Sequence, residues 1–114
     1  MDHIGFALPI QPGKSAAARA FLTELEGPRK GQYAASERKI GITKELWFFQ
    51  ETPNGDLFVA YMESADFGKA LSMFSQSKEE FDVWFKERLA NATGVDLNNP
   101  PPGPLSELLS HYEA

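Results

Sequence analysis

Residues 45–63, ELWFFQETPNGDLFVAYME, place two apolar runs on either side of a turn. Thr52-Pro53-Asn54-Gly55 suits a type I turn followed by a left-handed glycine. Proline presets the first central residue, and glycine takes a positive φ without strain. The stretch therefore predicts a hairpin, residues 43–51 against 57–64, in a bulged register with Thr52 opposite Asp56. In that register Leu46, Phe48, Phe58, Ala60 and Met62 share a charge-free face, expected to lie under helices. Trp47, Phe49, Val59 and Tyr61 share the other, bordered by Glu45, Glu51 and Glu63. A hairpin with one wet side alternates apolar and polar residues. This one is apolar on both sides, so its second face needs a partner or a ligand of its own.

Working outward, residues 2–11, DHIGFALPIQ, alternate strictly. Ile4, Phe6, Leu8 and Ile10 fall on one side, and His3, Gly5, Ala7 and Pro9 on the other, which predicts a strand. Residues 12–26 carry Ala18, Phe21, Leu22 and Leu25 at helical spacing, with Gly27-Pro28 as the stop. Residues 29–40 read as a second, irregular helical piece anchored by Tyr33 and ended by Gly41. Beyond the hairpin, residues 65–75 predict a short helix. Ser77-Lys78-Glu79-Glu80 reads as a capping box for another helix, which carries Phe81, Trp84, Phe85 and Leu89 and ends at Gly94.

Residues 97–104 are proline-rich and predict a stiff connector. In the tail, residues 105–114, Leu105, Leu108, Leu109 and Tyr112 have helical spacing. Topology argues instead for a last strand, because a three-stranded sheet would leave the first strand with an open edge. On that reading the whole of residues 1–114 is one α+β domain of ferredoxin-like type. Its βαββαβ order gives a four-stranded antiparallel sheet with helices on one face. The uncovered face then predicts a homodimer, two sheets packed face to face.

At this level the chain resembles the dimeric α+β barrel superfamily, which includes the antibiotic-biosynthesis-type monooxygenases. PGKSAAARAFLTELEGPR, GITKELWFFQETPNGDLFVAYME and FDVWFKERL with GVDL after it are similar to a small bacterial family of unknown function with this fold. The resemblance spans about residues 4–97 and implies a fold; it brings no catalytic residues with it.

Composition narrows the function classes. There is no cysteine, which removes disulfides, thiolate zinc sites and thiol catalysis. A net charge of −5 argues against nucleic acid as a partner. Five basic residues, Arg29, Lys30, Arg38, Lys39 and Lys44, are nonetheless grouped, most simply as a solvated surface. No apolar run is long enough for a membrane span, and the first residues, MDHIGF, lack a signal-peptide pattern, so a cytoplasmic protein is expected. Gly13-Lys14-Ser15 lacks the earlier glycine of a phosphate-binding loop, since that position is Leu8.

The candidate catalytic residues are His3, Tyr61 and Glu63. His3 lies on the small-residue face, where Gly5 and Ala7 leave room for a ligand and an imidazole can act as a general base. Trp47, Phe49, Val59 and Glu45 are candidates for a pocket wall or a dimer core. Glu45 and Glu63, near-opposite in this register, would repel unless a cation or a proton sits between them, with Lys44 or Arg38 as the candidate cation. His111 could approach His3 if the tail runs beside the first strand, but no tight ligand spacing supports a metal. The expectation is a small enzyme, monooxygenase- or isomerase-like and without a bound cofactor, acting on an apolar or aromatic metabolite. It predicts a sizeable cavity between sheet and helices or at the dimer seam. The alternative is a non-catalytic binding or regulatory module that uses the sheet face only to dimerise.

Overall fold

The computed structural model describes residues 1–101 and 103–114. Its elements run β1 (Asp2–Pro9), α1 (Ser15–Leu25), α2 (Lys30–Ile40), β2 (Ile42–Thr52), β3 (Gly55–Ser64), α3 (Phe67–Gln76) and α4 (Glu80–Thr93). The sheet is antiparallel with strand order β1-β3-β2. Long periodic segments sit where the sequence places them. Gly41 and Gly94, with φ of 86° and 82°, end α2 and α4 in the left-handed region that glycine enters at least cost.

The hairpin register differs by one residue from the expected one. Glu51 pairs with Asp56 and Thr52 with Gly55, so Pro53 and Asn54 alone make the turn. Of the turn residues only Gly55 has a positive φ. A one-residue slip sends every side chain of a strand to the other face. Trp47 and Phe49 therefore join Phe58 and Met62 in the core layer, while Leu46 and Phe48 stand 46% and 54% exposed on the open face. Absence of charge was the wrong guide to the inner face. Glu45 also turns inward, and its carboxylate is satisfied there by two side-chain donors. An irregularity between Ile42 and Lys44 inserts Thr43 as an extra residue, and the buried Ile42 thereby shares a face with the half-buried Glu45, Trp47 and Phe49.

The fourth strand is absent. Residues 105–114 carry no regular element, and the sheet has three strands among the described residues. The order is thus βααββαα rather than βαββαβ. Physical reasons are visible in the tail. Its leucines do not alternate, Pro100, Pro101 and Pro104 remove ladder donors just before it, and the outer edge of β1 gives its Gly5 N–H to the Ser106 hydroxyl at 3.0 Å. The capping box is absent too. Ser77 is extended at the end of α3, and its hydroxyl serves Asp82 instead of opening α4. The cap that does form is Asp66 on α3, accepting from Lys69 N at 3.0 Å.

The helices cover one face of the sheet. Phe58, fully buried at the centre of β3, meets Trp47 edge-on at 5.7 Å between ring centroids, and Phe21 of α1 meets Phe85 of α4 at 5.0 Å. Such aromatic pairs contribute about 0.5–1.5 kcal/mol beyond area burial. Lys86, 2% exposed, donates to the carbonyls of Phe74, Ser75 and Ser77 and so closes the end of α3. Most of the basic group is absorbed by internal pairs: Arg29 with Glu80, Lys39 with Asp82, Lys44 with Glu63. No described helix is long and apolar enough to cross a membrane.

Candidate functional site

Between the inner face of the sheet and α2, α3 and α4 lies a cavity of about 280 Å³. That is near the lower end of ordinary small-molecule pockets, roughly 300–1,000 Å³. Its walls are apolar, with Phe6, Trp47, Phe74 and Phe85 among them, and Pro100, Pro101 and Leu105 form the outer side. Two ionisable groups, Glu37 and Glu45, break this apolar lining.

Glu45 arrives from β2 and Glu37 from α2. The Glu45 Oε2 accepts from the Tyr33 hydroxyl and, at 2.9 Å, from the Trp47 indole N–H. Glu37 is less well served, because its Oε2 is buried without a hydrogen-bond partner among the described residues. Burial, then the charge of Glu45, then a hydrogen bond between the two carboxyl groups push Glu37 up to about 10, with Asp82 adding to the effect. At neutral pH Glu37 is therefore a carboxylic acid rather than a carboxylate. Burial first, and Glu45 second, also raise the Tyr33 hydroxyl above its ordinary value. A second, outer cleft of about 240 Å³ lies against the same wall, sharing Glu37, Ile42 and Glu45 with the cavity and bordered by Lys30 and Lys44.

Asp82 shows what a buried carboxylate looks like when it is fully served. It is 0% exposed, and Ser36, Lys39 and Ser77 all donate to it. Burial raises its pKa, but those donors outweigh burial and hold it below the ordinary value.

The expected catalytic residues gather on the opposite side of the sheet. His3 pairs across the strands with Glu63, and Tyr61 sits opposite Gly5. The Tyr61 hydroxyl lies 2.7 Å from His3 Nδ1 and donates to Glu63 at 2.7 Å. The Tyr61 bond, opposed by burial and aided by Lys44 at 3.8 Å, keeps Glu63 below its ordinary value. The same bond, with burial and the Glu63 charge, raises Tyr61. Lys44 thus fills the cation role for Glu63. Glu45 does not share in it, because it lies on the other face. His111 does approach His3, at 5.9 Å between ring centroids, with no strand to bring it there. No metal-holding group of three or more acidic or histidine side chains occurs among the described residues.

Of the pocket candidates, Trp47 and Glu45 line the cavity, Phe49 packs against the core, and Val59 stays on the open face with Tyr61. Glu37 and the roles of Tyr33 were missed. A signal existed: Tyr33, Ser36, Glu37 and Ile40 fall on one helical stripe, so a glutamate shares the face of the two apolar anchors.

No family model matches the sequence, and no curated protein matches it. In structure the chain is similar to an L-rhamnose mutarotase from Formosa agariphila, with a TM-score of 0.61 and 16% identity over 98% of this chain and 100% of that one. It is also similar to tetracenomycin F2 cyclase from Streptomyces glaucescens, a type-II polyketide cyclase, with a TM-score of 0.55 and 13% identity over 100% and 99%. At these identities the likeness shows the fold: an α+β arrangement of antiparallel sheet and helices.

Proposed function

We propose that this chain is a small enzyme that moves protons on an apolar or aromatic metabolite held in the cavity between sheet and helices. The observation that carries the reading is a buried carboxyl pair in an otherwise apolar cavity, with one oxygen of it, Glu37 Oε2, left without a hydrogen-bond partner among the described residues. Burying such a pair costs stability, and a cost of that kind is most often retained where chemistry uses it. Two proteins of like fold, a mutarotase and a cyclase by name, are small-molecule enzymes, which supports the class without naming a substrate. A proton-transferring pair favours isomerase-like over monooxygenase-like chemistry, and proton transfer between carboxyl groups and substrate calls on no organic cofactor or metal. The setting we infer for this acidic, cysteine-free chain is the cytoplasm.

The functional unit in this reading is a homodimer, formed through the open sheet face where Leu46 and Phe48 are exposed beside Val59 and Tyr61. Two apolar sheet faces packed on each other would remove that patch from water. A second reading puts the chemistry on His3, Tyr61 and Glu63, and the hydrogen-bonded chain they form favours it. A binding module that only dimerises is the remaining alternative.

Titrating small bicyclic aromatic compounds while following the Trp47 indole N–H by NMR tests the cavity. The expected result is saturable movement of that signal, since the indole lines the cavity and bonds Glu45. If the Trp47 signal stays fixed while signals of Tyr61 and His3 move, the second reading replaces the first. If none moves with any compound, the regulatory dimerisation module is left.

A further inference from the structure

The geometry points to a divided role for the carboxyl pair: Glu37 is the general acid and Glu45 the general base of a keto–enol proton transfer on an uncharged carbonyl compound. This rests on the cavity being the substrate site, as proposed above.

Both groups line the cavity, so one bound molecule can touch both. Their surroundings are unequal. Glu45 accepts two hydrogen bonds at one oxygen, from Tyr33 and Trp47, which fixes that oxygen in place. Glu37 has a buried oxygen with no partner, and buried polar atoms without partners call for an explanation. A ligand carbonyl is the complement it lacks, because a protonated carboxyl group donates and a carbonyl accepts. The groups that act on Glu37 are Tyr33 on its own helix, Glu45 from β2 and Asp82 from α4, none of them a cation, while Lys30 and Lys44 border the outer cleft that Glu37 shares. Two carboxyl groups so unequally hydrogen-bonded divide naturally into acid and base.

The step balances without an oxidant or reductant. Glu45 takes a proton from the carbon next to the carbonyl as Glu37 gives its proton to the carbonyl oxygen. The C–H bond breaks, its electron pair becomes the C=C bond of an enol, and an O–H bond forms. The pair holds one proton before and after, so the wall never carries two negative charges. Returning the proton to the same carbon restores the ketone, and returning it to a conjugated carbon gives the shifted isomer. Because Glu37 and Glu45 also border the outer cleft, either can exchange its proton with water there. The substrate class follows from the lining. No lysine, arginine or histidine lines the cavity among the described residues, so an anion would meet Glu45 without compensation.

The test uses the full chain in D2O with 1-indanone, a bicyclic ketone of suitable size, and follows loss of its C2 protons by NMR. We expect protein-dependent exchange that falls on the order of 100-fold in Glu37→Gln and in Glu45→Gln. Movement of the Trp47 indole signal on adding 1-indanone should persist in both variants. Should Glu45→Gln fail to fold, Glu37→Gln decides alone, since removing a buried acid is not expected to unfold the chain. Binding without exchange, or exchange as fast in the variants as in the wild type, overturns the acid–base assignment and leaves the cavity reading standing. Absence of any Trp47 shift at saturating ketone overturns both.

Discussion

The same pair of residue types, a tyrosine donating to a glutamate, occurs on both faces of this sheet with opposite consequences. Outside, Tyr61 bonds Glu63, Lys44 stands nearby, and the carboxylate is held below its ordinary value. Inside, Tyr33 bonds Glu45, but the next group is another carboxyl, Glu37, and burial together with the charge of Glu45 pushes that acid up to about 10. The lesson is that the hydrogen bond does not set the chemistry of such a pair. What sets it is burial and the charge of the nearest neighbour.

The largest effect expected from breaking this contrast is at the hairpin. Trp47→Glu would place a charge beside Glu45 in the core layer and should cost about 4 kcal/mol in urea unfolding, as unpaired buried charges do. Phe48→Glu, one residue away on the open face, should change the stability of the isolated chain by no more than about 0.5 kcal/mol. In light scattering the same change should shift the proposed dimer to monomer.

Next comes Glu37→Gln, which should stabilise the protein. Glu37 has an ordinary value of 4.5 and a folded value of about 10, so at neutral pH folding must take up a proton. Its contribution to stability is fully present below the ordinary value and is lost as pH rises toward the folded one. The glutamine variant should therefore gain about 1–3 kcal/mol at pH 7, and the gain should vanish in acid. Unfolding series at several pH values read this directly. Smaller again, Tyr33→Phe should lose about 1.5 kcal/mol by removing a donor to a charged acceptor. Tyr61→Phe, at the surface, should leave the unfolding midpoint where it is.

Much of this fold was open to reading in the sequence. The alternation in β1, the turn at Pro53-Asn54, and the glycine stops at Gly41 and Gly94 are local signals with local causes. The hairpin register was not, because a turn with Pro53 and Gly55 suits two loop lengths that differ by one residue, and both strands are apolar on each face. The tail was misread for a different reason. Topology asked for a strand at the edge of β1, while Leu105, Leu108, Leu109 and Tyr112 do not alternate. The inner carboxyl pair was hidden by its neighbours: Glu37 lies in SERKI, which reads as a solvated face, and only the packing of α2 on β2 buries it. His3, Tyr61 and Glu63 were each chosen from the face of their own strand, and it is the β1–β3 register that brings them together.

Carboxyl ¹³C NMR of glutamate-labelled protein measures directly whether Glu37 is an acid at neutral pH. The Glu37 resonance, assigned by its loss in Glu37→Gln, should sit at the protonated position at pH 7 and titrate near a pH of about 10. A Glu37 resonance that titrates with the exposed glutamates would contradict the account, because the cavity wall would then hold two ordinary carboxylates.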